Sequence, residues 1–256
     1  MPFELPPLPG THTRALGMVS RSDLAFHDLA EVVETDPGLT AALLRAANSA
    51  MSSPMTRIET AERALVRIGI ERARRIVAGA VVSGNMANLR RAGLDTDELW
   101  RHIVATALLA DVTAGLLHDI GRIAMAYQRP SDYARVIQAV REGADVLDAE
   151  QSVFGADHLQ VGVDVALGWN IPEDITAAIG DHHGGGSGSM AWVTWNARRV
   201  AWGLGIGDGV SMPEAVTHDP ESKDAEIVDA LGGPEHFLQQ VDWYCGAMTG
   251  AAAAAA

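Results

Sequence analysis

The chain has 256 residues, with 33 Asp and Glu against 19 Lys and Arg and a formal charge of -14. That excess repels a polyanion and disfavours general nucleic-acid binding, while the single cysteine, Cys245, excludes an intramolecular disulfide. No positively charged apolar leader opens the sequence, and no run approaches the roughly 18 uninterrupted apolar residues of a membrane span. The expectation is a soluble, cytoplasmic chain without a membrane partner, long enough for one large helical domain or two packed lobes.

In chain order, the opening LPPLPG is too proline-rich for a helix and reads as an extended arm or a frayed tail. Helix-start chemistry then recurs: Ser22 before DLAFHDLAEVV, Asp36-Pro37 before GLTAALLRAANSA, Asp95 before TDELWRHIV and Ser131 before DYARVIQAV. Leu39, Leu43, Leu44 and Ala47 form one apolar face and Val136, Ile137 and Val140 another, and no segment of comparable length alternates with period two. The fold class is therefore all-α. Arg57, Arg63, Arg67, Arg72, Arg74 and Arg75 stand among Glu59, Glu62 and Glu71, either a solvated face or a docking surface for an anionic partner. Gly93 closes the first half, Pro130 and Pro172 start new helices, and GGGSGS is a flexible break. The division expected is an N-terminal helical lobe over 1–93, a second helical lobe over 94–206 and a helical extension over 207–256. The closing AAAAAA has no sequence specificity.

Five of nine histidines fall between residues 102 and 183, and His182 and His183 are adjacent. GLLHDIGR sets His118 beside Asp119, an imidazole and a carboxylate of the kind that suits Zn, Mn or Fe. Consecutive helical residues diverge by about 100°, so the pair could hold one metal jointly, point toward two, or leave Asp119 merely capping the next helix. Glu98, one turn before His102, could add a carboxylate, and His158, His182 and His183 are further candidate ligands. His12, His27, His218 and His236 stand alone and are set aside. His102 and His118 are joined by TALLADVTAGLL, which reads as unbroken helix and would hold them roughly 24 Å apart. Either the chain turns sharply near Asp111 to Ala114 or residues are missing there, and the second is favoured. Trp100 and Trp169 are expected to fill gaps between helices, and Asn48 to be a structural residue of the first lobe.

LPPLP, ETDPGLTAALLRAANSA, ALVRIGIERARRIV, ELWRHIV, AGLLHDIGR, FGADHLQVG and ALGWNIPEDITAAIGDHH occur in the order that marks HDOD proteins, relatives of the HD metal-dependent phosphohydrolases. The chain resembles that family over nearly residues 5 to 205. The resemblance implies an N-terminal helical lobe packed on an HD-type lobe, a role as a bacterial signalling output module with a protein partner, and in many members no enzymatic activity. The second lobe also looks like the HD-GYP phosphodiesterases. That likeness implies Glu98, His102, His118, Asp119, His158, His182 and His183 as metal ligands, and a nucleotide or cyclic dinucleotide as ligand in an active protein. Arg122 stands where those enzymes carry a lysine, a candidate phosphate contact, and Asn196 where an aspartate is expected. The GYP signature is replaced by GGGSGSM. A regulatory module with a retained metal-ligand cluster is thus the expected function, and a metal-dependent phosphohydrolase the alternative.

Overall fold

A computed structural model describes residues 8–19, 21, 23–49, 57–84, 89–110, 113–184, 189–211 and 223–249, and among these there is no strand. The first half is α1 (Gly10–Val19), α2 (Phe26–Glu34), α3 (Pro37–Asn48), α4 (Ala61–Ile68) and α5 (Ile70–Ser83), followed by a 3-10 turn at Leu89–Ala92. Asp36 starts α3 as expected: its carboxylate accepts from the amides of Gly38 and Leu39, and Pro37 occupies the first helical position, where an N–H would have no partner anyway. Gly93, at φ +79°, makes the left-handed turn out of the 3-10 segment. Ser22 and the first half of the LPPLPG arm lie outside the described residues.

The second half is α6 (Thr96–Ala110), α7 (Thr113–Leu117), α8 (Ile120–Gln128), α9 (Pro130–Arg141), α10 (Val146–Phe154), α11 (His158–Gly168), α12 (Glu173–Asp181) and α13 (Met190–Gly203). Asp95 caps α6 by accepting from the amides of Asp97 and Glu98. Ser131 does not start α9. Pro130 opens that helix with Arg129 ahead of it, because a proline's fixed φ admits the chain to the helix one residue earlier. Pro172 precedes α12 as expected.

Between His102 and His118 the chain reverses, the first of the two alternatives: α6 ends at Ala110 and α7 folds back along it, so closely that a Cβ on Gly115 would lie 2.6 Å from the Cα of Ala107. The favoured alternative, missing residues near Asp111 to Ala114, falls on Asp111 and Val112, which lie outside the described residues. Trp100 and Trp169 are buried, as expected of gap-filling aromatics.

Two further helices, α14 (Lys223–Ala230) and α15 (Pro234–Thr249), follow, and α15 packs on α3, α5 and α6. Gly79 of α5 makes room for Met248: a Cβ there would collide with its sulfur. Trp243 Nε1 donates to Ser49 Oγ at 2.6 Å, Arg45 donates to the carbonyls of Ala247 and Met248, and Arg101 of α6 pairs with Asp242 at 3.4 Å. No described helix is long and apolar enough to cross a membrane.

Candidate metal centre

Four elements of the second half converge on Asp119. His102 comes from α6, His118 and Asp119 from the turn between α7 and α8, His158 from the first position of α11, and His182 and His183 from the end of α12. The rings of His102 and His118 lie 5.3 Å apart, those of His118 and His182 5.0 Å, and those of His182 and His183 4.8 Å. His118, Asp119, His158 and His182 are wholly inaccessible, His102 nearly so, and His183 is half-buried.

Asp119 stands at the start of α8, yet its side chain makes no capping bond. Its Oδ2 lies 3.2 Å from His118 Nε2 and 3.9 Å from His102 Nε2, and its Oδ1 lies 3.6 Å from the Nε2 atoms of both His158 and His182. One carboxylate therefore turns one oxygen toward each of two groups, His102/His118/Asp119 and His158/His182/His183. The ligand atoms within each group lie inside 4.8 Å of one another.

The tautomers follow from the acceptors. His118 Nδ1 meets the Gly115 carbonyl at 2.8 Å and His182 Nδ1 the Ile179 carbonyl at 2.8 Å. A carbonyl only accepts, so both Nδ1 atoms carry the proton and both Nε2 atoms present lone pairs to the centre. His158 Nδ1 lies 2.6 Å from the Glu150 carboxylate, which leaves its Nε2 in the same state. Nε2 of His158 then meets Nε2 of His182 at 3.3 Å, lone pair against lone pair. His118 Nε2, both ring nitrogens of His102, both oxygens of Asp119 and His183 Nε2 are buried with no hydrogen bond among the described residues. Buried acceptors crowded together without a donor cost free energy that a cation removes. The donor set fits a divalent metal.

Electrostatics agree. Burial, helped by the charge of Arg198, pushes His102 down to about 3. Burial with Arg198 takes His183 down to about 2, and burial holds His182 well below its ordinary value. These three histidines are thus neutral, as ligands must be. Burial alone would raise the Asp119 pKa, but the Arg122 guanidinium and His118 outweigh it and keep the carboxylate ionised.

Some expected residues behave otherwise. Glu98 is half-buried, accepts from the Gly207 amide at 2.6 Å and belongs to neither metal-competent group. Arg122 is fully buried, its NH1 2.9 Å from Asp208 Oδ2 and its Nε 3.8 Å from Asp119 Oδ1, so the guanidinium expected to face a phosphate faces two carboxylates. Asn196 donates to the Trp192 carbonyl of its own helix at 2.9 Å. From α13 it is Arg198 that reaches the centre, donating to the His182 carbonyl at 3.2 Å. Two residues along a helix point about 200° apart, which turns Asn196 away from the centre.

Three residues escaped the sequence reading. Glu150 of α10 is fully buried, accepts from the Tyr133 hydroxyl at 2.9 Å and from the His158 amide at 2.9 Å, and orients the His158 ring. Asp208 holds Arg122 and the amides of Val210 and Ser211. Arg198 is the third. No local signal marked Glu150, whose segment DAEQSVF carries a second acidic residue and two polar ones.

Comparison with known proteins agrees with this geometry. The HDOD domain model matches residues 5–184. A solved HDOD domain protein of unknown function from Geobacter sulfurreducens superposes with a TM-score of 0.67 at 22% identity, covering 95% of this chain and 92% of that one. A candidate signal transduction protein from Marinobacter aquaeolei VT8 gives 0.68 at 21%, covering 96% of this chain and 60% of that one. At these identities the likeness is one of fold. An uncharacterized protein of Treponema pallidum (strain Nichols) is 26% identical over 198 residues, and the match spans 70% of this chain but only 38% of that relative's length. With the family model covering well over half its length, and the His-Asp cluster at the centre of its helices, the chain belongs to the HDOD family.

Proposed function

We propose that this chain is a regulatory HDOD module of bacterial signalling that acts in the cytoplasm on a protein partner. Its second half holds divalent metal as a structural or sensory centre and does not turn over a substrate. The observation that carries the reading is the burial of a complete ligand set: five of the six clustered residues expose 1% or less of their surface. Ligands so enclosed favour a held ion over turnover of a cyclic dinucleotide or other phosphodiester. The division into lobes over 1–93 and 94–206 with an extension over 207–256 belongs to the same proposal, the first lobe offering the partner surface.

His102, His118, Asp119, His158, His182 and His183 would hold the metal. When bound, Fe, Mn or Zn would supply fixed positive charge to a site rich in imidazole lone pairs. The chain's own residues do the rest. Gly115, Ile179 and Glu150 fix three rings with Nε2 inward, and Arg122, anchored by Asp208, keeps Asp119 anionic.

A second reading, a metal-dependent phosphohydrolase, draws support from the way Asp119 divides its oxygens between two ligand groups, an arrangement suited to paired metals. Protein purified without added metal is assayed for metal content, for melting temperature before and after chelation, and for phosphodiester cleavage with Mn²⁺ or Fe²⁺. Bound metal, a lower melting temperature on chelation and no turnover are expected. Metal-dependent cleavage abolished by His118→Ala with Asp119→Ala would replace the regulatory reading with the hydrolase.

A further inference from the structure

The two ligand groups are not equivalent, and the difference lies behind the ligands. In the His102/His118/Asp119 group, His118 is steered by a neutral carbonyl, and neither nitrogen of His102 has a hydrogen bond among the described residues. In the His158/His182/His183 group, His182 is steered by a carbonyl, but His158 is steered by a carboxylate at 2.6 Å. That carboxylate, Glu150, is itself fixed at both oxygens. Oε1 accepts from Tyr133 and Oε2 from the His158 amide as well as its ring, all inside the protein. An anionic acceptor on Nδ1–H draws that proton away from the ring and makes Nε2 a stronger donor to a metal than a carbonyl does. Asp119 faces both groups and so does not distinguish them.

We infer that Glu150 is a positioning residue for the metal centre: through His158 it makes the His158/His182/His183 group the tighter of two unequal metal sites, the one that fills first. Three imidazoles, one of them charge-assisted, compete there against two, one of them unoriented. Tyr133 serves the same end by holding the carboxylate through its other oxygen. The inference rests on the metal-binding reading above and adds the order of filling and the residue that sets it.

The chelator-stripped full chain is titrated with Zn²⁺ against a chromophoric competitor, and its histidine ring nitrogens are followed by ¹H–¹⁵N correlation. The wild type should bind in two steps separated by tenfold or more, with the His158 ring protonated at Nδ1 before metal is added. Glu150→Gln should weaken the tighter step by about 10- to 100-fold and leave the other in place. His102→Ala, which breaks no hydrogen bond among the described residues, should abolish the weaker step alone and so tests the order even if Glu150→Gln does not fold. Equal steps in the wild type, loss of the tighter step in His102→Ala, or unchanged steps in a folded Glu150→Gln would each overturn the inference. No uptake of Zn²⁺ by the wild type would instead overturn the metal reading on which it stands.

Discussion

Asn48 shows what one half-buried amide accomplishes at the residue scale. Its Nδ2 donates to the carbonyls of Leu44 and Ile58, and its Oδ1 accepts from the Ile58 amide, so one side chain ends α3 and pins the strand of chain leading to α4. Half-buried bonds contribute somewhat under about 1 kcal/mol of net stabilisation each, so losing these three should make Asn48→Ala cost about 2 kcal/mol, read as a lower melting temperature. An unchanged melting temperature with lost partner binding would make it an interface residue instead. Asn196 carries the opposite expectation. Because its amide bonds back to Trp192, Asn196→Asp should leave metal stoichiometry unchanged and bring back no hydrolysis, checked by metal analysis and a phosphodiester assay. Gain of a bound metal in that variant would show that the side chain reaches the centre after all. The six clustered residues were legible because histidine beside aspartate, and histidine beside histidine, are uncommon and chemically pointed. Glu150 and Asp208 were not, since their meaning depends on partners 8 and 86 residues away that only the fold brings near.

At the scale of elements, the centre depends on how closely α8 crosses α11. Gly121, two residues past Asp119, faces Gly162 of α11 across that crossing. A Cβ on Gly121 would collide with the His158 carbonyl and lie 2.6 Å from the Gly162 amide nitrogen. Both obstacles are backbone, so neither can rotate aside. Gly121→Ala should therefore push α8 from α11, separate Asp119 from His158, and cost stability on the order of 3 kcal/mol along with bound metal. Retention of full metal content by this variant would refute the close-crossing account. Helix starts written in adjacent residues, Asp36-Pro37 and Asp95, were readable from the chain, because a cap is a local bond. The reversal between α6 and α7 was legible only as the less favoured of two alternatives. Helical propensity runs unbroken from His102 to His118, and what overrides it is the burial of α7 against α6, which the small Gly115 permits.

For the whole molecule, the buried histidines couple stability to acidity. His102 titrates near 3 and His183 near 2 in the folded protein, against an ordinary 6.5, so between those values the unfolded chain binds more protons than the folded one. Stability of the metal-free protein is therefore complete above about pH 6.5 and is lost as the pH falls below it. Denaturant midpoints at pH 7.5, 6 and 5, with metal removed, should decline in that order, by on the order of 1 kcal/mol per pH unit per histidine. A flat profile would mean that these rings are not neutral in the fold.

The grip of α15 on α3 has a consequence for the order in which the molecule is made. Arg45 and Ser49 bond to residues between 194 and 203 positions further along the chain. Domains are synthesised from the N-terminus and begin to fold as they emerge, but the face of α3 and α5 that α15 covers stays open to water until α15 has left the ribosome. Contacts of such long sequence separation also slow the final step. Nascent chains stalled after residue 211 should therefore be cleaved by protease within α3 and α5 far faster than the released protein, so that helices made well before α15 are secured only when it arrives.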